Sequence, residues 1–355
     1  MTYANRRPFA TFRRGFTLIE LLVVVAIIVI VVSIVVPALS SVRTTARVTE
    51  TRGLGDSMTK AISQFRNDNN LRNPGYFSQK ELGAASNEGL TPLFNALIEM
   101  VGGETTKAPD NVNIFAVGPQ TTGKVNIDLT AMGGSGKYFS IPKKYWSTTP
   151  TGKVANGGNQ SMPDFLDAFK TPMIMWVEDD TFAGTPTTVD QFARIDSSQS
   201  AKFYWESNAA MLKSTALGAK AANQTYAGQE DYSMIGDLVT ANNRAASLAG
   251  FLGHPGFPYR AAGASVTTVP IVAAKSRGSV VVHSAGPDGI FLNANDRGGK
   301  QFTVTGGTKV LDYRVNFVTS PSGNLPADGY LDKDGKPTTV DVVEKFDDVA
   351  QPLGG

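Results

Sequence analysis

The sequence predicts an α+β protein: one long N-terminal helix, membrane-embedded in its first half, followed by a head of short strands and loops. Three observations predict it. Phe16 to Leu39 is an almost unbroken apolar run. Beyond it Leu54, Met58, Ala61, Ile62 and Phe65 recur at helical spacing, with Asp56, Lys60 and Arg66 between them. After Gly75 the pattern changes to short apolar stretches separated by Gly, Pro, Asn and Thr, the composition of strands and turns.

Composition narrows the function classes. The 355 residues allow a sizeable core, and the 36 Gly and 19 Pro point to many turns. A net charge of +2 removes the electrostatic argument for non-specific nucleic-acid binding. With no cysteine, disulfide frameworks, thiolate zinc sites, iron–sulfur clusters and cysteine nucleophiles are excluded. Two histidines, His254 and His283, leave little material for a histidine metal site or a catalytic triad.

The first element follows from its charges and length. Arg6, Arg7, Arg13 and Arg14 precede the apolar run with no acid among residues 1–15. At about 1.5 Å per residue, the run covers about 36 Å, enough to cross a hydrocarbon core of about 30 Å. The basic residues orient it with the leader in the cytoplasm. An ordinary secretory signal would have a shorter apolar region and a small-residue cleavage site, of which Val35-Val36-Pro37-Ala38-Leu39 is a poor version. A plain anchor fits the length but leaves Glu20 unexplained, since an acid at depth costs about 2.5–3.5 kcal/mol on insertion scales.

A third reading uses the residues as they stand. Arg13-Arg14-Gly15-Phe16-Thr17-Leu18-Ile19-Glu20-Leu21-Leu22 resembles the cleavage and methylation signal of type IV pilins and type II secretion pseudopilins. The resemblance implies cutting between Gly15 and Phe16 by a prepilin peptidase, then N-methylation of Phe16. Losing the four leader arginines would turn the net charge from +2 to about −2. Glu20 becomes the fifth mature residue, one turn beyond the Phe16 amine. In a bundle of such helices its carboxylate can neutralise a neighbour's amine and set the axial register. Pro37 matches a proline position common in the family. It removes a backbone donor, so a kink or a melted stretch is expected there.

The helix is expected to continue, amphipathic, over residues 40–70, and to end at the Asn, Pro and Gly signals of Asn67 to Gly75. Three shorter stretches extend the resemblance. Ser86-Asn87-Glu88-Gly89-Leu90, leading into Leu93, Leu97 and Ile98, is similar to the loop and short helix after a pseudopilin spine. Asp167-Ala168-Phe169-Lys170-Thr171-Pro172, leading into Met173 to Val177, is similar to the turn that opens the pseudopilin sheet, with Phe169 where Trp is usual. Ser284-Ala285-Gly286-Pro287-Asp288-Gly289 through Asp296 resembles the C-terminal loop of major pseudopilins. The family's head is a small antiparallel sheet laid against the spine helix. Coverage is strong over 13–66 and weaker over 86–99, 163–177 and 278–297.

The expected organisation is therefore a leader at 1–15, an assembly helix at 16–39, an amphipathic spine at 40–70 and a head at 71–320. Insertions fall at about 100–162 and 178–277, where Asn208 to Ala222 and Asp237 to Leu252 read as helices. Residues 321–355 read as a polar tail, partly disordered.

The loop after 278–283 offers oxygen ligands at Asp288, Asn293, Asn295 and Asp296, and hard calcium prefers six to eight such oxygens. The resemblance implies calcium here, carried over to Asp288, Asn295 and Asp296. Asn295 stands where an aspartate is usual and Arg297 adds a cation, which predicts a weak site; a hydrogen-bonded turn is the alternative. Asp332, Asp334 and Gly335 resemble half a calcium loop and read as a simple turn.

Other motifs reduce to structure. Gly133-Gly134-Ser135-Gly136-Lys137 lacks the first glycine and the final Ser or Thr of a P-loop, so it reads as a flexible loop. His254 and His283 read as structural. Asp179-Asp180 and Asp347-Asp348 read as solvated faces. The aromatic clusters at Tyr138-Phe139, Tyr145-Trp146, Phe203-Tyr204-Trp205 and Phe257-Tyr259 read as core rather than a sugar-binding surface.

The expected function is that of a non-catalytic subunit of a pilus-like filament, a type II secretion pseudopilin that waits in the inner membrane with its head in the periplasm. Expected partners are like subunits and other pilins or pseudopilins, the prepilin peptidase, an inner-membrane assembly platform and membrane lipid, with no nucleic acid. A type IV pilus subunit in adhesion or motility, and a membrane-tethered binding protein or hydrolase with a borrowed signal, are the alternatives.

Overall fold

The computed structural model describes residues 16–83, 90–110, 112–119, 123–132, 136–147, 164–212, 233–236, 239–259, 272–296, 303–305, 308–311, 313 and 341–353. The leader at 1–15, Ser86 to Gly89, Gly133 to Ser135 and the Asp332-Asp334-Gly335 turn lie outside them. The fold is α+β, with a spine helix α1 (Leu18–Asp68) followed by small, mostly antiparallel sheets. The chain forms two compact units, Met1–Ala46 and Arg47–Gly355.

The first unit is the apolar part of α1. Its large apolar side chains from Phe16 to Val42 are all exposed. So continuous an apolar surface is a partner-seeking one, suited to lipid or to other apolar helices. By length and composition this is a helix able to cross a membrane. Pro37 sits inside it, and the backbone stays helical through the proline rather than melting there. The proline still leaves the Ser33 carbonyl without its donor.

The second unit is organised around three antiparallel strands: β1 (Ile174–Val177), β2 (Val280–Ser284) and β3 (Val349–Leu353), with β2 in the centre. Val281 lies opposite Trp176, Val282 opposite Met175, and Val280 opposite both Val177 and Leu353. Side chains alternate between faces along a strand. Met175, Val177, Val280 and Val282 therefore enter one core, whereas Ile174, Trp176 and Val281 enter a second.

The first core is the spine layer. Leu54, Met58, Ala61, Ile62 and Phe65 of α1 are buried there together with Leu93, Leu97 and Ile98 of α2 (Pro92–Val101). Thr91 caps α2 through its hydroxyl, and Pro92 stands at the first helical position, where no donor is needed. A Cβ on Gly55 would stand 3.2 Å from Gln351 Cβ, so a glycine on the spine lets β3 approach closely.

The second core is built by the 178–277 insertion. Phe192, Phe203, Trp205, Leu248, Phe251, Leu252, Val272 and Ala273 pack with Phe291, Leu292 and Phe346 on the far side of the sheet. The helix expected over Asp237 to Leu252 forms as α3 (Ala241–Leu252). That expected from Asn208 is a short turn of helix, Ala209–Leu212, the rest lying outside the described residues. Of the expected polar tail at 321–355, residues 341–353 are structured and belong to the head: Val343 and Phe346 enter the second core, and Val349–Leu353 is an edge strand. Pro352 is compatible with that place, because an edge strand has one side that donates to no neighbour.

Candidate functional site

Two places bear on function, one in each unit. At the start of α1, the backbone N–H and the hydroxyl of Thr17 donate to Glu20 Oε2 at 2.8 and 2.7 Å, and Glu20 N–H donates back to Thr17 Oγ1 at 3.3 Å. This is a reciprocal capping box, Thr-x-x-Glu, at the helix start. The four-residue signature is legible in the sequence and gives Glu20 a task inside the single subunit beside the one between subunits. Phe16, beside it, is exposed.

The second place is the loop after β2. Gly286 and Gly289 take positive φ of 68° and 75°, and Leu292, a buried non-glycine, takes 48°. A left-handed conformation costs a leucine about 1–2 kcal/mol, so something must hold it. Asp348 does so: Leu292 N–H donates to its Oδ1 and Oδ2 at 3.1 and 3.0 Å. Ile290 N–H donates to Asp288 Oδ1 at 2.7 Å and the Asn293 amide to Asp288 Oδ2 at 2.6 Å.

Folded this way, the loop brings Asp288 and Asp296 together with Asp347, each half-buried, with one carboxylate oxygen from each within 4.8 Å of the others. Asn295 stands next to them, exposed, its backbone N–H donating to Asn293 Oδ1 at 2.9 Å. Asp347 Oδ1 is buried with no hydrogen-bond partner among the described residues. Burial, and then the Asp288 carboxylate, pushes Asp296 up to about 6. Burial, then Asp288, Asp296 and Asp348, pushes Asp347 up to about 8. Three carboxylates held close with an orphaned oxygen are the all-oxygen donor set that suits a hard divalent cation.

The pairs Asp347-Asp348 and Asp179-Asp180 are not simple solvated faces. Asp347 belongs to the acidic cluster, Asp348 is fully buried, and Asp179 is buried with its carboxylate accepting from Thr181 N–H at 2.7 Å. Asp347 and Asp348 lie about fifty residues from the loop they serve, a separation that no local pattern discloses. The Asp167 turn forms as the resemblance implied. Asp167 Oδ1 accepts from Phe169 and Thr171 N–H at 2.8 and 2.9 Å, and Oδ2 accepts the Ser284 hydroxyl at 2.6 Å. Tyr145, Phe203, Tyr204 and Trp205 are buried as expected, whereas Phe257 is exposed.

Residues 11–36 match the family described as the prokaryotic N-terminal methylation motif. The chain thus carries a prepilin-type methylation motif that leads into a long apolar helix, consistent with a type IV pilin-like or pseudopilin-like protein. No curated protein and no solved structure matches it. The motif implies processing by a prepilin peptidase and assembly with other pilin subunits, points to a structural subunit rather than an enzyme, and fits membrane anchoring.

Proposed function

We propose that the chain is a structural subunit of a pilus-like filament, a type II secretion pseudopilin, and that it catalyses nothing. The observation that carries this reading is the motif over 11–36 together with a helix whose large apolar side chains from Phe16 to Val42 are all exposed in the single subunit. In this reading the peptidase cuts between Gly15 and Phe16, Phe16 is methylated, and the head waits in the periplasm while the helix lies in the inner membrane. An assembly platform then moves the subunit into a bundle, where the bare helix is covered by copies of itself and by other pilins. Glu20 meets a neighbour's amine there, and leaving either charge unpaired in low dielectric is costly.

Calcium belongs to the same reading. Asp288, Asp296 and Asp347 would hold it, with Asn295 beside them at the surface, and the cation would offset their mutual repulsion. A type IV pilus subunit, minor or at the tip, is the second reading. The insertion layer favours it, because a second core over the far face of the sheet enlarges what the head presents outward.

Intact mass of the protein purified from its native membranes tests the proposal. A chain beginning at Phe16 with one added methyl is expected, and Gly15→Val is expected to keep residues 1–15 and form no filament. Residues 1–15 retained on the native chain would leave a plain anchor. Cleavage after Ala38 would release the head and end the filament reading.

A further inference from the structure

A cavity of about 490 Å³ opens at the end of the sheet where the chain enters β2. It is lined by the last turns of α1 (Ser63, Arg66, Asn67), by Glu178 just after β1, and by Lys202, Lys275, Ser276 and Ser279. The acidic loop lies beyond the other end of β2, five residues away, roughly 14 Å along a strand. The two ends of the head therefore carry opposite chemistry.

Three cations face this cavity against one lining carboxylate, and that carboxylate is already engaged. Glu178 Oε1 accepts from Lys202 Nζ at 3.0 Å and from the Ser276 hydroxyl. Arg66 spends its Nη1 on neutral acceptors, Asn73 Oδ1 at 3.1 Å and the Ser279 hydroxyl. The Lys275 ammonium rests over the Phe257 ring, 4.3 Å from its centroid. Among the described residues neither Arg66 nor Lys275 makes an ion pair. Asp180 feels the Arg66 charge without forming an ion pair with it, and burial and then Asp179 draw its carboxyl upward. A guanidinium, an ammonium and several hydroxyls around a space of this size suit a small polar molecule with one oxyanion.

We propose that this cavity is a binding site for a small hydroxyl-bearing anion, with Arg66 and Lys275 holding its carboxylate or phosphate group and Ser63, Asn67 and Ser276 its neutral oxygens. The site would act whether or not the chain polymerises, so it stands apart from the filament reading.

Titration calorimetry on the full chain in a neutral detergent tests it, with glucuronate, inorganic phosphate and glucose as probes. Glucuronate or phosphate is expected to bind in the millimolar range or tighter, and glucose at least about tenfold more weakly. Binding of glucuronate alone assigns the site to sugar acids. Binding of phosphate alone assigns it to phosphorylated ligands, and binding of both makes the bare oxyanion the determinant. Lys275→Gln, an exposed position, should weaken the anion about tenfold, and Arg66→Gln should do at least as much. Melting curves check that each variant folds; if Arg66→Gln does not, Lys275→Gln decides alone. The proposal is overturned if neither anion binds by about 10 mM, if glucose binds as well as the anions, or if the folded variants bind like wild type.

Discussion

His283 Nε2 lies 2.6 Å from Asp348 Oδ2, with both side chains wholly out of solvent. Trp176 Nε1–H donates to the other ring nitrogen, Nδ1, at 3.3 Å, so Nε2 is the nitrogen that carries the proton. Burial drives the imidazole down to about 3, which keeps it neutral. The same aspartate takes Leu292 N–H, so one buried carboxylate ties β2, the strained loop and the segment before β3. Asp348→Ala should cost about 3 kcal/mol, since it orphans the imidazole N–H and the Leu292 N–H together. Asp348→Asn keeps one acceptor oxygen and should cost less. Urea unfolding of the two variants reads this; equal stability of Asp348→Ala and wild type would sink it.

Gly286 stands where the same loop meets the tail. An added Cβ would come to 2.3 Å from the Asp347 carbonyl oxygen, and φ there is 68°. Gly286→Ala should therefore destabilise the head by more than about 1 kcal/mol and displace Asp347 from the acidic cluster. A melting curve measures the first effect. The second appears as a smaller response to calcium than in wild type.

Calcium itself should raise the melting temperature. For a site in the range of about 0.1–1 mM, stabilisation at a hundredfold excess over Kd is about 2.7 kcal/mol. Asp347→Asn should remove most of that gain, whereas Asp334→Asn should leave it. Scanning calorimetry with calcium or with a chelator decides. If the two aspartates behave alike, the cluster of Asp288, Asp296 and Asp347 is not the site.

The chelated protein should also lose stability as pH rises. Asp347 and Asp296 hold their protons more tightly folded than unfolded, up to about 8 and about 6 against an ordinary 3.8. A raised carboxyl pKa gives stability that is fully present below the unfolded value and lost as pH climbs through the folded one. His283 opposes this only below its ordinary 6.5, where the unfolded imidazole takes up a proton that the buried one refuses. Between pH 6.5 and 8 the histidine no longer opposes the loss and Asp347 supplies most of the slope, so the chelated protein should melt lower at about pH 8. Calcium, or Asp347→Asn, should flatten that slope, and melting curves across the window show whether it does.

What the sequence disclosed and what it hid divide along contact distance. The α1 stripe from Leu54 to Phe65 and the runs that became β1 and β2 were legible because periodicity and unbroken apolarity are local signals. Strand β3 was not, since Val-Ala-Gln-Pro-Leu is short, half polar and interrupted by Pro352. Its strandness comes from pairing with β2 and from the close approach of the spine at Gly55. Asp347 was hidden for the same reason: its partners sit in a loop far back in the chain. In the 178–277 insertion the cluster Phe203-Tyr204-Trp205 was legible as core, whereas Phe192, a lone aromatic, and Val272-Ala273 carry no pattern that marks them for the second core.

Glu20 has two tasks that one substitution series separates. In the single subunit it closes the helix start by accepting from Thr17, a role that glutamine can fill, because the capping box accepts either side chain. In a bundle its task is the charge it offers to a neighbour's amine, which glutamine lacks. Glu20→Gln should therefore be cut and methylated normally, keep its helix content, and fail to enter filaments. Glu20→Val should fail likewise and weaken the helix start by about 1 kcal/mol as well. Filament yield from sheared cells, read beside the mass of the membrane-bound subunit, distinguishes the two. If Glu20→Gln assembles as well as wild type, the cap is the reason for the glutamate and the charge pairing between subunits is wrong.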